Sequence, residues 1–182
     1  LIFEKNNITD TSFSVRLPKY STVYHWRVAS IKTLCQTEFS AVRSLTTKLA
    51  PSVLISPSKG SFGGSLFTAA PFNIKLVWKK TQPSDKYDIQ VSKTLSFAST
   101  VFSASDMTDT SVTVNLPDGY DSIYYWKVRT NSNGCFSYWS DIYSFKTPYQ
   151  KPVQVDPLNS ETCVTMTQTL FKWASLNGVT KY

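Results

Sequence analysis

The stretch TDTSVTVNLPDGYDSIYYWKVRT, residues 108–130, decides the architecture of this chain. Apolar residues recur at every second position before its Pro-Asp-Gly turn, and Tyr124, Trp126 and Val128 do so after it. Alternation with a period of two over four to six residues indicates antiparallel strands with one buried face. The stretch therefore predicts two half-buried strands separated by a turn.

Nearly the same stretch occurs close to the start of the chain, as TDTSFSVRLPKYSTVYHWRVAS at residues 9–30. Thr9–Pro18 match Thr108–Pro117 with an offset of 99 positions. One extra residue then shifts the offset to 100, so that Cys35 matches Cys135. Similarity at a fixed spacing indicates repeated structural units.

A third copy begins towards the other end of the chain. The segment VQVDP (153–157) resembles VLISP (53–57), and Trp173 follows it as Trp78 follows the earlier segment. The sequence therefore contains parts of three successive units.

These matches divide the chain into three parts. Residues 1–48 are the C-terminal half of one repeat, 49–148 form a complete repeat, and 149–182 are the N-terminal third of another. The links near residue 49 and at 148–152 contain proline, and short links of this kind are semi-rigid, which favours a rod of units. Because half a sandwich exposes its core face, we expect further chain or another chain to cover the open faces of the two partial repeats.

The complete repeat contains seven short stretches with strand patterning, separated by turn residues. They are VLI (53–55), IKLVW (74–78), YDIQVS (87–92), TVFS (100–103), SVTVNL (111–116), YYWKVRT (124–130) and DIYSFKT (141–147). Seven strands in about a hundred residues are typical of an immunoglobulin-like sandwich, and no helical periodicity is sustained. The predicted fold class is all-β, with tandem sandwiches of about seven strands each.

The alternating positions also predict the core, which is rich in aromatic residues. The predicted core residues are Tyr24, Trp26, Trp78, Tyr87, Leu116, Tyr124, Trp126, Val128 and Trp173.

An early-strand Trp78, then Tyr87 at the start of the next strand, then Leu116-Pro117 before Tyr124 resembles the fibronectin type III family. In that family, Leu-Pro followed by such a tyrosine is a tyrosine corner. The disulfide between sheets that marks antibody domains is missing, which argues against the true immunoglobulin branch.

The same tyrosine-corner motif occurs a second time in Leu17-Pro18 with Tyr24. The segment 124–147 resembles, more specifically, the tandem modules of large secreted bacterial surface proteins. This resemblance implies a secreted, cell-surface location and a structural or adhesive role. It is specific for the fold and weak for function, because this sandwich serves many unrelated roles.

One outward face of the complete repeat carries cations beside an aromatic ring. Lys127 and Arg129 alternate with core residues, and Trp139 enters the last strand, so the three side chains are predicted to form a cation–π ladder. Arg27 and Phe39 take matching places in the first repeat. The arrangement resembles the Arg/Trp ladder of cytokine-receptor sandwiches. Structural bracing is the favoured role, with a ligand platform as the alternative.

Two of the three cysteines recur at the same place. Cys35 and Cys135 fall in the loop between the last two strands, and Cys163 precedes the tryptophan strand of the third repeat. One hypothesis is a disulfide between repeats, in which the partner of Cys135 lies upstream of residue 1. The other is that these cysteines are free, buried thiols.

Residues that could support catalysis or metal binding are sparse. The chain has one histidine, His25, and the second repeat has Tyr125 in its place, so a histidine-based triad or metal site cannot be assembled. Four aspartates flank predicted turns, where Asp side chains bond nearby backbone: Asp85, Asp88, Asp118 and Asp121. The sequence predicts no enzyme and no cofactor.

The net charge of +7 comes mostly from scattered lysines rather than from a basic stripe. This distribution argues against nucleic-acid binding, and no apolar run is long enough to insert into a membrane. Attraction to acidic glycans or to an anionic surface stays open.

Three functions remain. The first is a non-catalytic extracellular repeat module, a spacer, stalk or adhesive segment of a large surface protein, whose partners are neighbouring repeats and protein or glycan surface ligands. The second is an accessory region of a secreted protease or glycan hydrolase, with its catalytic domain elsewhere. The third is a carbohydrate-binding sandwich, which requires a planar row of exposed aromatic rings.

Overall fold

The computed structural model describes residues 3–32, 35–63, 72–84, 86–117, 119–160, 162–164, 169–176 and 178–181. Asp85 and Asp118 lie outside the described residues. Within the described ranges all regular elements are β-strands. The strands are β1 (Val23–Trp26), β2 (Ile31–Lys32), β3 (Cys35–Gln36), β4 (Arg43–Thr46), β5 (Leu54–Ser56), β6 (Ser61–Phe62), β7 (Asn73–Trp78), β8 (Lys86–Ser92), β9 (Phe102–Met107), β10 (Ser111–Asn115), β11 (Ile123–Ser132), β12 (Cys135–Phe136), β13 (Tyr143–Lys146), β14 (Gln154–Asp156) and β15 (Lys172–Trp173).

Strands β5 to β13 form two sheets, which we call the central sandwich. The smaller sheet has the order β10-β7-β5, with all neighbours antiparallel. Its central strand β7 places Ile74, Leu76 and Trp78 on one face because alternate residues of a strand point the same way. All three side chains are buried against the second sheet.

The larger sheet has the order β6-β13-β11-β8-β9, and β12 pairs with the end of β11. In its centre, Trp126 of β11 lies opposite Val91 and Val128 lies opposite Ile89. The chain crosses from the smaller to the larger sheet between β5 and β6, since β6 pairs in parallel with β13. The predicted all-β, immunoglobulin-like sandwich is confirmed for this part of the chain.

The core between the two sheets is built around aromatic rings. Trp78 packs on Tyr87 with ring centres 5.7 Å apart, and Tyr124 stacks on Phe145 at 5.6 Å. Trp126 lies beside them and is completely buried. A buried aromatic side chain removes about 150–250 Å² from water, and at about 25 cal/mol per Å² each ring contributes several kcal/mol. The core therefore supplies a large share of the stability of a domain of this size.

The edge strand β9 differs from its prediction. The sequence placed a strand at 100–103, whereas β9 spans Phe102–Met107 and pairs with β8 from Phe102 opposite Val91 to Met107 opposite Tyr87. Among the described residues, β9 has β8 as its only partner. Its sequence, FSASDM, does not alternate strictly, because a half-exposed edge strand needs few apolar side chains.

Residues 9–48, which we call the N-terminal segment, form two short antiparallel pairs, β1 with β4 and β2 with β3. The prediction that Trp26 belongs to a core is wrong, since its side chain is 48% exposed. None of the described strands packs over Trp26, whereas Tyr24 on the same face is 8% exposed and its hydroxyl accepts a hydrogen bond from the amide of Lys19 at 3.2 Å. Likewise, Thr9–Pro18 form no strand, although the matching residues of β10 do, because β10 exists by pairing with β7.

The C-terminal hairpin consists of β14 and β15, which pair with Gln154 opposite Trp173. This pairing repeats that of Leu54 opposite Trp78 in the central sandwich. The prediction that Trp173 is a core residue is also wrong, since it is 46% exposed. As in the N-terminal segment, the hairpin forms locally and no second sheet covers it among the described residues.

Candidate functional site

The outward face of the larger sheet carries five side chains that stack in a row. Lys127 Nζ lies 4.0 Å from the ring centre of Phe97 and 4.7 Å from that of Trp139. Arg129 Cζ lies 4.8 Å from the centre of Trp139 and 4.2 Å from that of Phe136. The structure thus brings the three predicted side chains together as a cation–π ladder, and it adds an aromatic ring at each end.

The two end rings were missed by sequence reasoning. Phe136 follows Cys135 in β12, so the alternation of the β11–β12 hairpin could have placed it near Arg129. Phe97 lies in the turn after β8 with a positive φ of 53°, and no periodicity signals such a position. Turn geometry, rather than strand patterning, brings this ring to Lys127.

A buried carboxylate fixes the guanidinium end of the ladder. Arg129 Nε donates to Asp88 Oδ2 at 2.8 Å, and the amide of Asp106 donates to Asp88 Oδ1 at 3.2 Å. From the sequence, Asp88 is explained by the turn that it flanks, at the start of the predicted strand 87–92. The structure places it inside β8, directly opposite Arg129 and only 4% exposed, where it pairs with that guanidinium. Alternation would have revealed this position, since Asp88 lies between the inward Tyr87 and Ile89 and so must face outward with Arg129.

The segment that carries Trp139 is held by two serines rather than by a strand ladder. The amide of Val128 donates to Ser140 Oγ at 3.1 Å, and the amide of Ser140 returns a bond to Val128 O at 2.8 Å. Ser137 makes the same pair of bonds with Thr130, at 3.0 and 3.1 Å. We call these two pairs the serine clamps. They position the intervening residues Tyr138 and Trp139 outward from the sheet edge.

The N-terminal segment contains the same clamps with nearly the same distances. The amide of Val28 donates to Ser40 Oγ at 3.1 Å, and the amide of Ser30 donates to Thr37 Oγ1 at 3.0 Å. Arg27 Cζ lies 4.0 Å from the ring centre of Phe39, which is a one-step version of the ladder. The sequence match at an offset of 100 therefore corresponds to matching hydrogen bonds.

The two cations of the ladder interact with neighbouring groups of the same sheet face, Lys127 with aromatic rings and Arg129 with aromatic rings and Asp88. Burial between the rings lowers the pKa of Lys127, and the neighbouring Arg129 lowers that pKa further. Arg129 is neutralised by Asp88, and all three central side chains are only partly exposed. This arrangement braces the edge of the larger sheet and leaves little free charge for a ligand.

The three cysteines are free and exposed in the structure. Cys35 and Cys135 each begin the short return strand of a hairpin, β3 or β12, and Cys163 lies between β14 and β15. The expectation of buried thiols is therefore wrong, because hairpin tips project beyond the core. The hypothesis of a disulfide with a segment upstream of residue 1 stays a prediction.

The described residues offer little for catalysis or metal binding. His25 is exposed in β1, opposite Ser44. The described ranges contain no group of three or more His, Cys, Asp or Glu side chains that could hold a metal ion. In the same ranges, no helix is long and apolar enough to cross a membrane.

The link between the N-terminal segment and the central sandwich is anchored at several points. Thr130 Oγ1 donates to the carbonyl of Ala50 at 3.0 Å, and Ser52 Oγ donates to the carbonyl of Lys79 at 2.8 Å. Lys48 Nζ lies 4.2 Å from the ring centre of Tyr138. These contacts place Lys48, at the end of the N-terminal segment, beside the serine clamps of the central sandwich.

Comparison with known proteins finds solved structures of similar shape but no matching sequence family. No family model matches the chain, and no curated protein matches it. Among solved structures, the chain is similar to an Fn3-like protein from Clostridium thermocellum, with 18% identity and a TM-score of 0.42 over 58% of this chain and 99% of that one.

Two further solved structures show comparable likeness. One is the α-L-rhamnosidase from Dictyoglumus thermophilum, with 13% identity and a TM-score of 0.40 over 59% of this chain and 14% of the enzyme. The other is the chicken CNTN1 FN1–FN3 domains, with 13% identity and a TM-score of 0.39 over 75% of this chain and 48% of that one.

Proposed function

We propose that the chain is a non-catalytic extracellular repeat module that serves as a spacer, stalk or adhesive segment of a large surface protein. Its partners would be the neighbouring repeats and, for an adhesive segment, protein or glycan ligands. The observation that carries this proposal is the anchored link at residues 48–52. Ala50 and Ser52 are hydrogen-bonded to the central sandwich, and Lys48 of the preceding unit contacts its Tyr138.

An anchored link has a mechanical consequence. A free linker lets neighbouring units sample many orientations, whereas a short link with bonded backbone holds them in one. Repeats connected in this way extend as a rod, and the number of units sets its length. Near-copies of one unit suit such a role, because lengthening a rod demands no new site.

The proposal can be tested with the native cysteines. Spin labels are attached at Cys35 and Cys135 in a Cys163→Ser background. Double electron–electron resonance then measures the distance between the hairpin tips of two successive units. We expect a single narrow distance distribution. The combined change Thr130→Val and Tyr138→Ala should broaden it, because two of the three anchoring contacts of the link are lost. The control Leu95→Ala, elsewhere on the central sandwich, should leave it unchanged.

A broad distribution in the parent protein would contradict the spacer role. The extracellular location needs a separate test, namely labelling of intact cells of the source organism with an antibody against this chain. Labelling only after the cells are permeabilised would count against a surface protein.

A further inference from the structure

We propose that the cleft between the N-terminal segment and the central sandwich is a binding site for an acidic polysaccharide. This cleft has a volume of about 750 Å³ and lies beside the anchored link. Three cations, Arg16, Lys19 and Lys48, line it together with the rings of Tyr20 and Tyr138. An anion site here specifies the ligand class that the adhesive form of the proposed function leaves open, and it would also stand if the chain were a spacer or an accessory region.

The charge of the cleft has one sign. Arg16, Lys19 and Lys48 are all exposed, and none of them forms an ion pair with another described residue. No carboxylate is among the described residues that line the cleft. A concave surface lined by charges of one sign concentrates the field and raises the local concentration of ligands with the opposite charge. The cleft is therefore suited to an anion.

The fold does not require these cations, because the central sandwich forms the matching turn without them. We call these two turns, each closed by a threonine side chain, the first and the second corner. Thr47 Oγ1 donates to the carbonyl of Lys19 at 2.8 Å, and Thr147 Oγ1 donates to the carbonyl of Gly119 at 2.9 Å. The positions that match Arg16, Lys19 and Lys48 are occupied by Asn115, Gly119 and Pro148. A structural need at this turn thus explains the threonine and leaves Arg16 and Lys19 unexplained, while Lys48 also contacts the ring of Tyr138.

The second corner also differs in its charges, because it contains a carboxylate. Asp121 forms an ion pair with Lys146 at 2.6 Å, whereas Ser21 takes the place of Asp121 in the N-terminal segment. The cation of the central sandwich, Lys146, is therefore paired with a carboxylate, whereas Arg16 and Lys19 form no ion pair with another described residue.

The exposed rings narrow the class of anion. Arginine binds carboxylate or sulfate groups through two parallel hydrogen bonds. Tyr138 is 58% exposed beside Lys48, so its ring offers an apolar surface next to the charge, and Tyr20 offers another. A chain of pyranose rings with sulfate or carboxylate groups supplies an apolar face and an anion together, whereas a small inorganic anion would use only the cations.

The test measures binding of the whole 182-residue chain by calorimetry at physiological ionic strength. The probes are a heparin octasaccharide for sulfate, an octagalacturonate for carboxylate, maltooctaose as the neutral sugar, and vesicles of phosphatidylglycerol with phosphatidylcholine. We expect binding to at least one acidic octasaccharide, whichever anionic group is preferred, and none to maltooctaose. The cleft variant Arg16→Gln, Lys19→Gln, Lys48→Gln should bind that octasaccharide at least about tenfold more weakly.

A second triple variant controls for net charge. Lys75→Gln, Lys80→Gln and Lys151→Gln replace exposed cations away from the cleft, and each triple variant lowers the net charge by three, from +7 to +4. We expect this control to lose less than about twofold in affinity, and both variants to keep the parent melting temperature. Equal losses in the two variants would overturn the proposal, as would no binding by the parent protein or tighter binding to the vesicles than to either acidic octasaccharide.

Discussion

The N-terminal segment and the central sandwich make the same hydrogen bonds and differ in what covers them. The amide of Val28 and the amide of Val128 each donate to a serine Oγ at 3.1 Å. Nevertheless, Val28 is 57% exposed whereas Val128 is fully buried. The hairpin and its clamps are therefore encoded locally by spacing, while the core requires the second sheet, which comes from distant parts of the chain.

The largest expected difference concerns the two matching tryptophans. Trp126→Ala should destabilise the central sandwich by about 3–5 kcal/mol, because it empties a fully buried site. Trp26→Ala should change the free energy of unfolding by less than about 1 kcal/mol, since half of that side chain is already in water. Urea unfolding followed by circular dichroism measures both values.

A conservative variant sharpens the comparison. The Trp126 Nε1 group is buried with no hydrogen-bond partner among the described residues, so Trp126→Phe removes an unpaired donor and should cost about 1–2 kcal/mol. Equal losses from Trp126→Ala and Trp26→Ala would mean that the N-terminal segment also has a covered core.

The next effect concerns the two matching arginines. Arg129→Ala should cost about 2–3 kcal/mol, because it leaves the carboxylate of Asp88 buried without its cation. Arg27→Ala should stay within about 0.5 kcal/mol, since Arg27 is exposed and has no ion-pair partner among the described residues. Differential scanning calorimetry of the two variants provides the test, and a loss of similar size for both would contradict the assigned role of Asp88.

The serine clamps should show a smaller contrast. Ser140→Ala leaves the buried amide of Val128 without its acceptor, which should cost about 1–2 kcal/mol. In Ser40→Ala, water can replace the hydroxyl at the exposed amide of Val28, so the loss should be below about 0.5 kcal/mol. Chemical denaturation midpoints for both variants decide the matter, and the reverse order would refute the account.

The smallest effect is a change in ionisation at the ladder. NMR titration of lysine side chains should show that Lys127 has a pKa below its ordinary 10.5, with burial as the main cause and Arg129 as the lesser one. Raising the pH through this range should therefore remove a small penalty from the folded state, because the folded protein disfavours the charged amine. Trp139→Ala should raise the pKa of Lys127 by exposing the amine. An unchanged pKa in this variant would contradict burial by the ring.

The parts of the fold that are set by alternation could be predicted from the sequence. The strands β7, β8, β10 and β11 follow a period of two, and the sandwich follows from their number. Trp26 and Trp173 carry the same pattern but are exposed, because alternation tells which face is apolar and not whether anything covers it. Burial depends on the presence of the opposite sheet, which a local pattern does not contain.

The candidate sites divide in the same way. The sequence predicted that Lys127, Arg129 and Trp139 lie together because Trp139 was expected to enter the last strand. They do lie together, but Trp139 precedes that strand and is positioned by the serine clamps. Phe97 comes from a turn and could not be found by periodicity. The basic cleft was missed because Arg16 and Lys48 are distant in sequence and meet Tyr138 only when the link is anchored.

Native-state hydrogen exchange at two matching amides tests the central claim most directly. Val28 and Val128 donate to the same chemical group at the same distance, so any difference in protection reports the cover and not the bond. We predict that Val128 exchanges only through global unfolding, with protection at least about a thousandfold greater than that of Val28, which opens locally. Equal protection of the two amides would contradict the claim that a shared hairpin is buried in one segment and uncovered in the other.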